Sequence, residues 1–344
     1  MHPPDTGSRK DDHIRINLEE DVAFTTTTTG LEHYRFVHQA LPGINLDAVD
    51  PSTTYLRHRL SLPLLISSMT GGTARAGEIN RILAEAAQEA GIGMGLGSTR
   101  AALERPEVGW TFQVRKYAPD ILLFANLGAV QLNCGYGVDD CRRLVDLTEA
   151  NALYLHLNPL QEALQPEGDT RFDGLLHRIE AICLGLCVPV VVKEVGWGLS
   201  KRAVRQLIDA GVAALDVAGA GGTSWSQVEY YRQENAVGRE IAGSFREWGI
   251  PTAASLRIVR EVDTDIPLVA SGGLKTGIDI AKCIALGADV ASLAGVMLRS
   301  AAKSPEALRE RIHILRQQLV IAMFATGSTR LSDLRTAELI SASP

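Results

Sequence analysis

Residues 268–295 read LVASGGLKTGIDIAKCIALGADVASLAG, and this stretch decides the fold class. Two short apolar runs, Leu268–Ala270 and Val290–Leu293, are each followed by small residues, and an amphipathic segment at 277–288 lies between them. Apolar runs of this length, bounded by glycine, are typical of buried strands, whereas the longer periodic segment is typical of a helix. The stretch therefore predicts a strand–helix–strand unit with parallel strands.

The same unit recurs along the chain from about residue 61. Helical segments at 76–91 and 200–211 have the same character as the one at 277–288. Eight buried strands are predicted: Leu64–Ser67, Ile92–Met94, Ile121–Ala125, Leu153–Leu157, Val190–Lys193, Ala214–Val217, Leu268–Ala270 and Val290–Leu293. Eight strands alternating with helices predict an α/β protein with a parallel TIM (β/α)8 barrel. A doubly wound open sheet is the main alternative, but the count and the glycine loops after the last two strands favour the barrel.

The rest of the chain is assigned around this barrel. Residues 1–60 are predicted to form an N-terminal arm and cap, in which the run Thr25–Thr29 forms a strand. Residues 61–303 form the barrel, and the long gap at 219–266 predicts an insertion between strands 6 and 7. Residues 304–344 are predicted to form a C-terminal helix and tail.

Composition excludes several classes of protein. The chain has 344 residues, of which 46% are hydrophobic and 22% charged, as expected for a globular protein. Its net charge of −6 argues against binding to nucleic acid or to an anionic membrane surface. The five cysteines do not form a disulfide framework in a chain of this length, and the N-terminal sequence lacks the apolar core of a signal peptide. A cytoplasmic setting is therefore predicted.

In a barrel of this kind the reactive residues follow the C-terminal ends of the strands. The loops at 271–273 and 294–295 follow the last two strands, and their glycines allow backbone N–H groups to approach a phosphate. The alternative is two ordinary tight turns. Lys193 ends an apolar strand, where a cation faces an electron-rich ring, a substrate anion, or a barrel-interior partner such as Glu194.

Two further segments carry polar residues toward the predicted mouth. In 156–162 the strand ends near Asn158, and Glu162 offers the oxygen ligand that Mg²⁺ prefers when it bridges to a substrate phosphate. The alternative for Glu162 is a solvated side chain. Residues 9–13, RKDDH, form either a solvated tail or a diphosphate clamp that folds over the site. The sequence contains no dinucleotide-binding GxGxxG after a strand, no Walker loop and no GxSxG elbow.

Several segments resemble the type 2 isopentenyl-diphosphate isomerases, which are FMN-dependent barrel enzymes. They are SSMTGG (67–72), GLGSTR (95–100), HLNPLQEALQPEGD (156–169), DVAGAGGTSW (216–225) and ASGGLKTGIDIAKCIALGAD (270–289). The resemblance covers about residues 9–300. The chain departs from the family pattern at Thr99, where glutamine is usual, and at Ala218, where serine is usual.

The resemblance implies a set of site residues. It implies catalytic roles for Gln161, His156 and Lys193, and Glu162 as the Mg²⁺ ligand. FMN contacts are implied for Ser68, Met69, Thr70, Ser98, Asn126, Lys193, Thr223, Gly272, Gly273, Leu274, Lys275, Ala294 and Gly295. Substrate contacts are implied for Arg9, Lys10, His13, Ser98, Thr99, Arg100, Asn158 and Gln161.

The resemblance also implies the activity. Isopentenyl and dimethylallyl diphosphate would be interconverted by a 1,3 proton shift with reduced FMN, in isoprenoid biosynthesis, with NAD(P)H as reductant. A homotetramer or homo-octamer is implied. Flavin barrels that oxidise 2-hydroxy acids carry a His-Gly-x-Arg that is absent here, and nucleotide monophosphate dehydrogenases carry a loop cysteine that 219–226 lacks. A non-catalytic flavin- or phosphate-binding barrel is the third alternative.

Overall fold

The computed structural model of the protein describes residues 6–341, with side chains from Lys10 onward. The strands are Tyr34–Phe36 (β1), Thr53–Tyr55 (β2), His58–Leu60 (β3), Leu64–Ile66 (β4), Gly93–Gly95 (β5), Leu123–Gly128 (β6), Ala152–His156 (β7), Val190–Lys193 (β8), Ala214–Asp216 (β9), Leu268–Ser271 (β10), Val290–Leu293 (β11) and Leu339–Ser341 (β12). Strands β4 to β11 follow one another in chain order around a closed parallel barrel, and β11 pairs with β4. The predicted barrel is confirmed, and the open-sheet alternative is wrong.

Helices surround this barrel. They are Thr6–Glu19 (α1), Ala74–Ala90 (α2), Arg100–Glu104 (α3), Val138–Thr148 (α4), Pro159–Leu164 (α5), Leu175–Gly185 (α6), Lys201–Asp209 (α7), Trp225–Arg232 (α8), Ala236–Ser244 (α9), Thr252–Val262 (α10), Gly277–Ala285 (α11), Gly295–Lys303 (α12), Pro305–Ala325 (α13) and Leu331–Arg335 (α14). Short 3₁₀ turns occupy Leu31–His33, Leu46–Ala48, Pro106–Phe112, Arg115–Tyr117 and Ala129–Cys134. None of the described helices combines the length and apolar character that crossing a bilayer requires.

The barrel interior is packed with side chains. Alternate residues of each strand point inward, and the inner cluster includes Leu65, Phe124, Tyr154 and Val191. The rings of Phe124 and Tyr154 stack with their centroids 4.4 Å apart. The β2–β3 hairpin contributes the buried Tyr55 to the same cluster and so closes the end of the barrel opposite the strand C-termini. The interior is therefore filled, and ligands have access at the other end.

The insertion between β9 and β10 contains α8 and α9, as the long gap in the sequence predicts. Helix α1 packs against α8 and lies over the mouth of the same chain's barrel. Strand β1 pairs antiparallel with β12, so segments near the two ends of the described chain join in one small sheet. The domain divisions at residues 60 and 303 stay predictions.

The threonine run at 25–29 does not form the predicted strand. Backbone N–H groups of Thr25, Thr26 and Thr27 donate to the Glu247 carboxylate over 2.8, 3.1 and 2.6 Å, and the hydroxyls of Thr25 and Thr26 donate to it as well. Burial raises the pKa of Glu247, but these hydrogen bonds outweigh it and hold the pKa well below its usual range. The strand prediction is wrong because one distant carboxylate takes the donors that a ladder would need.

Candidate active site

The C-terminal ends of the barrel strands open into two adjoining cavities of about 160 and 370 Å³. Residues that line both include Ser68, Met69, Thr70 and Lys193, together with His13 of α1. The smaller cavity lies toward β5–β7 and α5, and the larger lies toward β9–β11. The volume of the larger cavity is that of a cofactor or small-molecule site.

The larger cavity has a glycine-rich wall. Gly272 and Gly273 adopt φ values of +100° and +76°, a region that favours glycine. A Cβ on Gly273 would lie 2.5 Å from the Thr29 methyl carbon and 2.6 Å from the carbonyl oxygen of Gly221. The rest of this wall comprises Thr223, Leu274, Lys275, Ala294 and Gly295. Helix α12 begins at this wall, so its free N–H groups and dipole favour an anion there.

Three buried hydroxyl groups in the cavity walls point to a ligand. The side-chain oxygens of Ser68, Thr70 and Ser292 are buried, and none has a hydrogen-bond partner among the described residues. Buried polar groups in folded proteins are nearly always satisfied. These hydroxyls are therefore placed to bond a polar molecule in the larger cavity.

In the smaller cavity, Glu162 lies at the first turn of α5. Its carboxylate accepts hydrogen bonds from the amide of Asn158 over 2.8 Å, from the backbone N–H of Asp169 over 2.7 Å and from the Gln165 amide. The carbonyl oxygen of the Asn158 side chain is buried and has no hydrogen-bond partner in the part of the chain that the structure describes. The described residues contain no group of three His, Cys, Asp or Glu side chains that could hold a metal ion. A cation here would complete its shell with oxygens from water or a substrate.

Gln161 lies beside a buried carboxylate that the sequence analysis missed. The Gln161 amide donates to Glu229 of α8 over 3.0 Å, and Glu229 also lies 3.5 Å from the His13 ring and 2.6 Å from Arg232. Burial raises the pKa of Glu229, but these partners outweigh it and lower the pKa below its usual value. Nothing in the sequence marked Glu229, because the insertion carried no pattern that tied it to the barrel mouth.

His156 is oriented by Asn126 on the neighbouring strand. The Asn126 amide donates to the carbonyl of Leu96 over 3.1 Å, so its oxygen faces the His156 Nδ1 at 2.7 Å. An amide oxygen only accepts, and Nδ1 therefore carries the proton. The strand register places His156 next to Lys193 at the barrel mouth.

Helix α1 brings one face to both cavities. Lys10, His13, Ile14 and Asn17, spaced as one helical stripe, line the cavities. The Lys10 ammonium donates to the carbonyl of Ser98 over 2.8 Å and lies 4.9 Å from the Phe112 ring centroid. The side chain of Arg9 lies outside the described residues.

Arg100 and Thr99 differ in where they point. Arg100 lines the smaller cavity and is held by Gln131 at 2.6 Å and Glu104 at 3.3 Å. Thr99 is fully buried, and its hydroxyl donates to the carbonyl of Asn126 over 2.7 Å. Thr99 therefore shapes the loop from behind, although the resemblance implies a substrate contact for it.

Comparisons with known proteins show the family of this chain. The FMN-dependent dehydrogenase family profile matches residues 165–341. The isopentenyl-diphosphate delta-isomerase of Nostoc sp. is 53% identical over 341 residues, covering 97% of each chain. That of Rickettsia felis is 54% identical over 331 residues, covering 96% of each chain. The chain belongs to the isopentenyl-diphosphate delta-isomerase family. The predicted resemblance, including its flavin-dependent type, is confirmed, and the family consists of enzymes.

Solved structures similar to this isopentenyl-diphosphate delta-isomerase family member share its fold. A mandelate oxidase with (S)-2-phenylpropionate is 18% identical with a TM-score of 0.68, covering 98% of both chains. A putative lactate oxidase of Pediococcus acidilactici is 15% identical with a TM-score of 0.69, covering 100% of this chain and 96% of that one. At these identities the likeness concerns the barrel alone.

In this family member the side chains of Lys193 and Glu194 bond to backbone groups and not to each other. The Lys193 ammonium donates to the backbone carbonyl of Glu194 over 2.6 Å. The Glu194 carboxylate instead accepts the N–H groups of Val195, Gly196 and Trp197 over 2.7, 2.8 and 2.6 Å. Glu194 therefore shapes the loop after β8, and burial, which outweighs these bonds, raises its pKa to about 7.

This raised pKa predicts a stability change with pH. The folded protein keeps the Glu194 proton up to about pH 7, whereas the unfolded chain loses it near its ordinary pKa of 4.5. The free energy of unfolding should therefore fall by roughly 3 kcal/mol between pH 4.5 and 7 through this group. Urea unfolding at pH 5 and 7.5 should show that decline in the wild type and a smaller one in Glu194→Gln. The exposed Glu107→Gln should behave as the wild type; equal declines in all three proteins would contradict the prediction.

Proposed function

We propose that this chain interconverts isopentenyl and dimethylallyl diphosphate, with reduced FMN in the larger cavity and Mg²⁺ at Glu162 in the smaller one. The observation that carries the proposal is the junction of the two cavities at Lys193 and residues 68–70. A ring bound at that junction would lie beside the pocket that holds Gln161 and Glu162. The family membership and the flavin-type profile support the same activity.

The residues of the larger cavity suit FMN. The glycine loop at 272–273 and the first turn of α12 offer backbone N–H groups to a phosphate, and Lys275 lines the same wall. The hydroxyls of Ser68, Thr70 and Ser292, which have no hydrogen-bond partner within residues 10–341, would supply polar contacts to it. Bound and reduced, the flavin supplies an electron-rich ring that stabilises positive charge and exchanges protons, which ordinary side chains do poorly.

The protein's own groups would provide position and charge. Buried Lys193, at the junction, would stabilise negative charge on the ring from the floor of the site. The hydrogen bond from the Nδ1 of His156 to the Asn126 oxygen fixes the orientation of the imidazole ring at the mouth of the barrel. The hydrogen bond to Glu229 fixes the orientation of the Gln161 amide. The fixed amide would then orient the alkene of the substrate.

The diphosphate would bind in the smaller cavity. Lys10 from α1 and Arg100 from α3 line this cavity, and the sequence resemblance adds Arg9 to them. Mg²⁺ commonly uses one or two carboxylates and completes its shell with phosphate oxygens and water. Glu162 with the unpartnered oxygen of Asn158 offers such an incomplete protein shell.

Three further properties are proposed on the sequence resemblance alone. NAD(P)H is the proposed reductant of the flavin. The assembly is proposed to be a homotetramer or homo-octamer, and the setting cytoplasmic.

The test begins with the purified protein and its visible spectrum. We expect bound FMN, and conversion of isopentenyl diphosphate only after reduction and in the presence of Mg²⁺. Product is measured by chromatography or NMR under anaerobic conditions. Isomerisation by the oxidised holoprotein or by protein stripped of FMN would refute the proposal, and FMN binding without turnover would favour a non-catalytic flavin protein.

Gly273→Ala should weaken FMN binding. The added Cβ meets the Thr29 methyl and the Gly221 carbonyl at 2.5 and 2.6 Å, and the loop must shift to accommodate it. We expect the dissociation constant for FMN to rise at least about tenfold, measured by quenching of flavin fluorescence. Gly43→Ala is the matched control, since Gly43 has a similar φ of +70° and open space around its Cβ position. Equal affinity in the two variants would mean that the 272–273 loop does not receive the phosphate.

A further inference from the structure

The barrel interior just below the mouth contains two opposite charges on neighbouring strands. Lys193 ends β8 and Asp216 ends β9, and the two are direct register partners. In each strand the residue two positions earlier, Val191 or Ala214, belongs to the inner cluster, so both charged side chains also point inward. Asp216 is fully buried and Lys193 is 6% exposed. Asp216 begins the segment 216–225, but its sequence context alone predicts no role for it.

Among the described residues, the well-formed hydrogen bonds to the Asp216 carboxylate fall on one oxygen, and the neighbouring Tyr154 hydroxyl also lowers its pKa. Its Oδ1 accepts hydrogen bonds from the Ser271 hydroxyl over 2.5 Å and from the backbone N–H of Ala218 over 3.3 Å. Its Oδ2 is buried and has no hydrogen-bond partner among the described residues. A buried carboxylate in this position is costly unless a cation lies close to it.

Lys193 is the cation at this level of the barrel. Burial raises the pKa of Asp216, and the charge of Lys193 acts in the opposite direction. Burial likewise lowers the pKa of Lys193, and the charge of Asp216 is the largest influence opposing it, followed by that of Glu194. The Glu194 carboxylate accepts hydrogen bonds from three backbone N–H groups. The Nδ1 of His156, on the neighbouring strand β7, is hydrogen-bonded to the Asn126 side chain.

We propose that Asp216 is a positioning residue that keeps the Lys193 ammonium charged at the floor of the flavin cavity. Its bond to Ser271, the residue before the 272–273 loop, connects these two neighbouring opposite charges to the wall that would receive the flavin phosphate. The inference rests on the proposed function, since FMN is the group that Lys193 faces. It extends that function by assigning the positive charge below the flavin ring to Lys193 together with Asp216.

The midpoint potential of bound FMN distinguishes this role from a direct one. If Asp216 acted on the ring by itself, removing its negative charge would favour the anionic reduced flavin and raise the potential. If Asp216 acts through Lys193, its loss removes the cation that stabilises the reduced ring, and the potential falls. A residue with only a structural role would change the potential in neither direction.

The experiment compares four FMN-loaded proteins: wild type, Asp216→Asn, Lys193→Met and the double variant. We expect Asp216→Asn to lower the midpoint potential in the same direction as Lys193→Met, and to lower kcat at least about tenfold. In the Lys193→Met background the same change should alter kcat by less than about twofold, because the two residues act as one unit. A raised potential, an unchanged potential, or effects that add in the double variant would each overturn the inference.

Ser271→Ala supplies a second route in case Asp216→Asn does not fold. It removes the hydroxyl that holds the carboxylate but keeps the charge. We expect a smaller downward shift of the potential, which disappears in the Lys193→Met background; a shift that persists there would overturn the inference. A wild-type protein that fails to bind FMN or to isomerise refutes the proposed function itself, whereas an active wild type with additive variants refutes only the role of Asp216.

Discussion

Lys193→Met is expected to reduce isomerase turnover by a factor of about 10²–10³ while the protein still binds FMN. Lys193 stands at the junction of the two cavities, buried in the barrel mouth. Methionine has nearly the same length and shape, so the packing of the mouth is kept and the positive charge is lost. In a site from which water is excluded, a fixed charge stabilises a charged transition state far more than it would in water.

The measurement separates binding from turnover. FMN affinity should change by less than about fivefold, because the phosphate wall at 272–273 and α12 is untouched. Turnover of isopentenyl diphosphate is followed with the reduced protein at saturating Mg²⁺. Lys201→Met, on an exposed stretch of α7, serves as the control and should retain wild-type turnover. If Lys193→Met kept turnover within about twofold of the wild type, the flavin ring would not depend on this cation.

Glu162→Gln is expected to raise the Mg²⁺ concentration for half-maximal activity at least about tenfold. Glutamine keeps the size of the side chain and one acceptor oxygen but loses the negative charge that attracts a hard cation. Its amide would also turn a donor toward the Asp169 N–H and the Gln165 amide, which both donate to Glu162. The apparent KM for isopentenyl diphosphate should rise as well, because the cation would bridge to the diphosphate.

Glu167→Gln provides a matched comparison for this change. Glu167 lines the same cavity, but its carboxylate pairs with Arg232 at 2.5 Å. We expect this variant to keep the magnesium dependence of the wild type, whatever its effect on the Arg232 pair. Activity is titrated against Mg²⁺ in both variants with EDTA-treated protein. An unchanged Mg²⁺ requirement in Glu162→Gln would remove Glu162 as the metal ligand.

The sequence predicted the barrel strands well because burial on both faces leaves a local pattern. The predicted runs at 190–193 and 290–293 agree with β8 and β11 residue for residue. The run predicted at 121–125 instead lies at 123–128, since Asn126 and Gly128 stay in the ladder with β7. A polar residue and a glycine near a strand end look like a loop in sequence, and only pairing with the neighbouring strand keeps them extended.

The N-terminal region was harder to predict from sequence. The run Thr25–Thr29 has high strand propensity, yet it wraps a carboxylate that lies more than 200 residues later in the chain. The charged segment at 9–13 suggested either a tail or a clamp, and its helical stripe lies over the mouth. The segment 9–13 did not separate these alternatives, because it is charged throughout, and the buried apolar residues of α1, Ile14 and Ile16, lie after it.

By itself, the sequence determined the order of strands and helices, the closed barrel and the edge of the barrel at which polar and glycine residues collect. These features depend on periodicity and on short-range turn chemistry, which neighbouring residues carry. Only the tertiary structure decided that Asp216 stands beside Lys193, that Glu229 of the insertion reaches Gln161, and that Thr99 turns away from the cavity. Such contacts depend on strand register and on the packing of distant segments. A buried charge pairs with a group that is close in the folded structure, and that group can lie far away in the sequence.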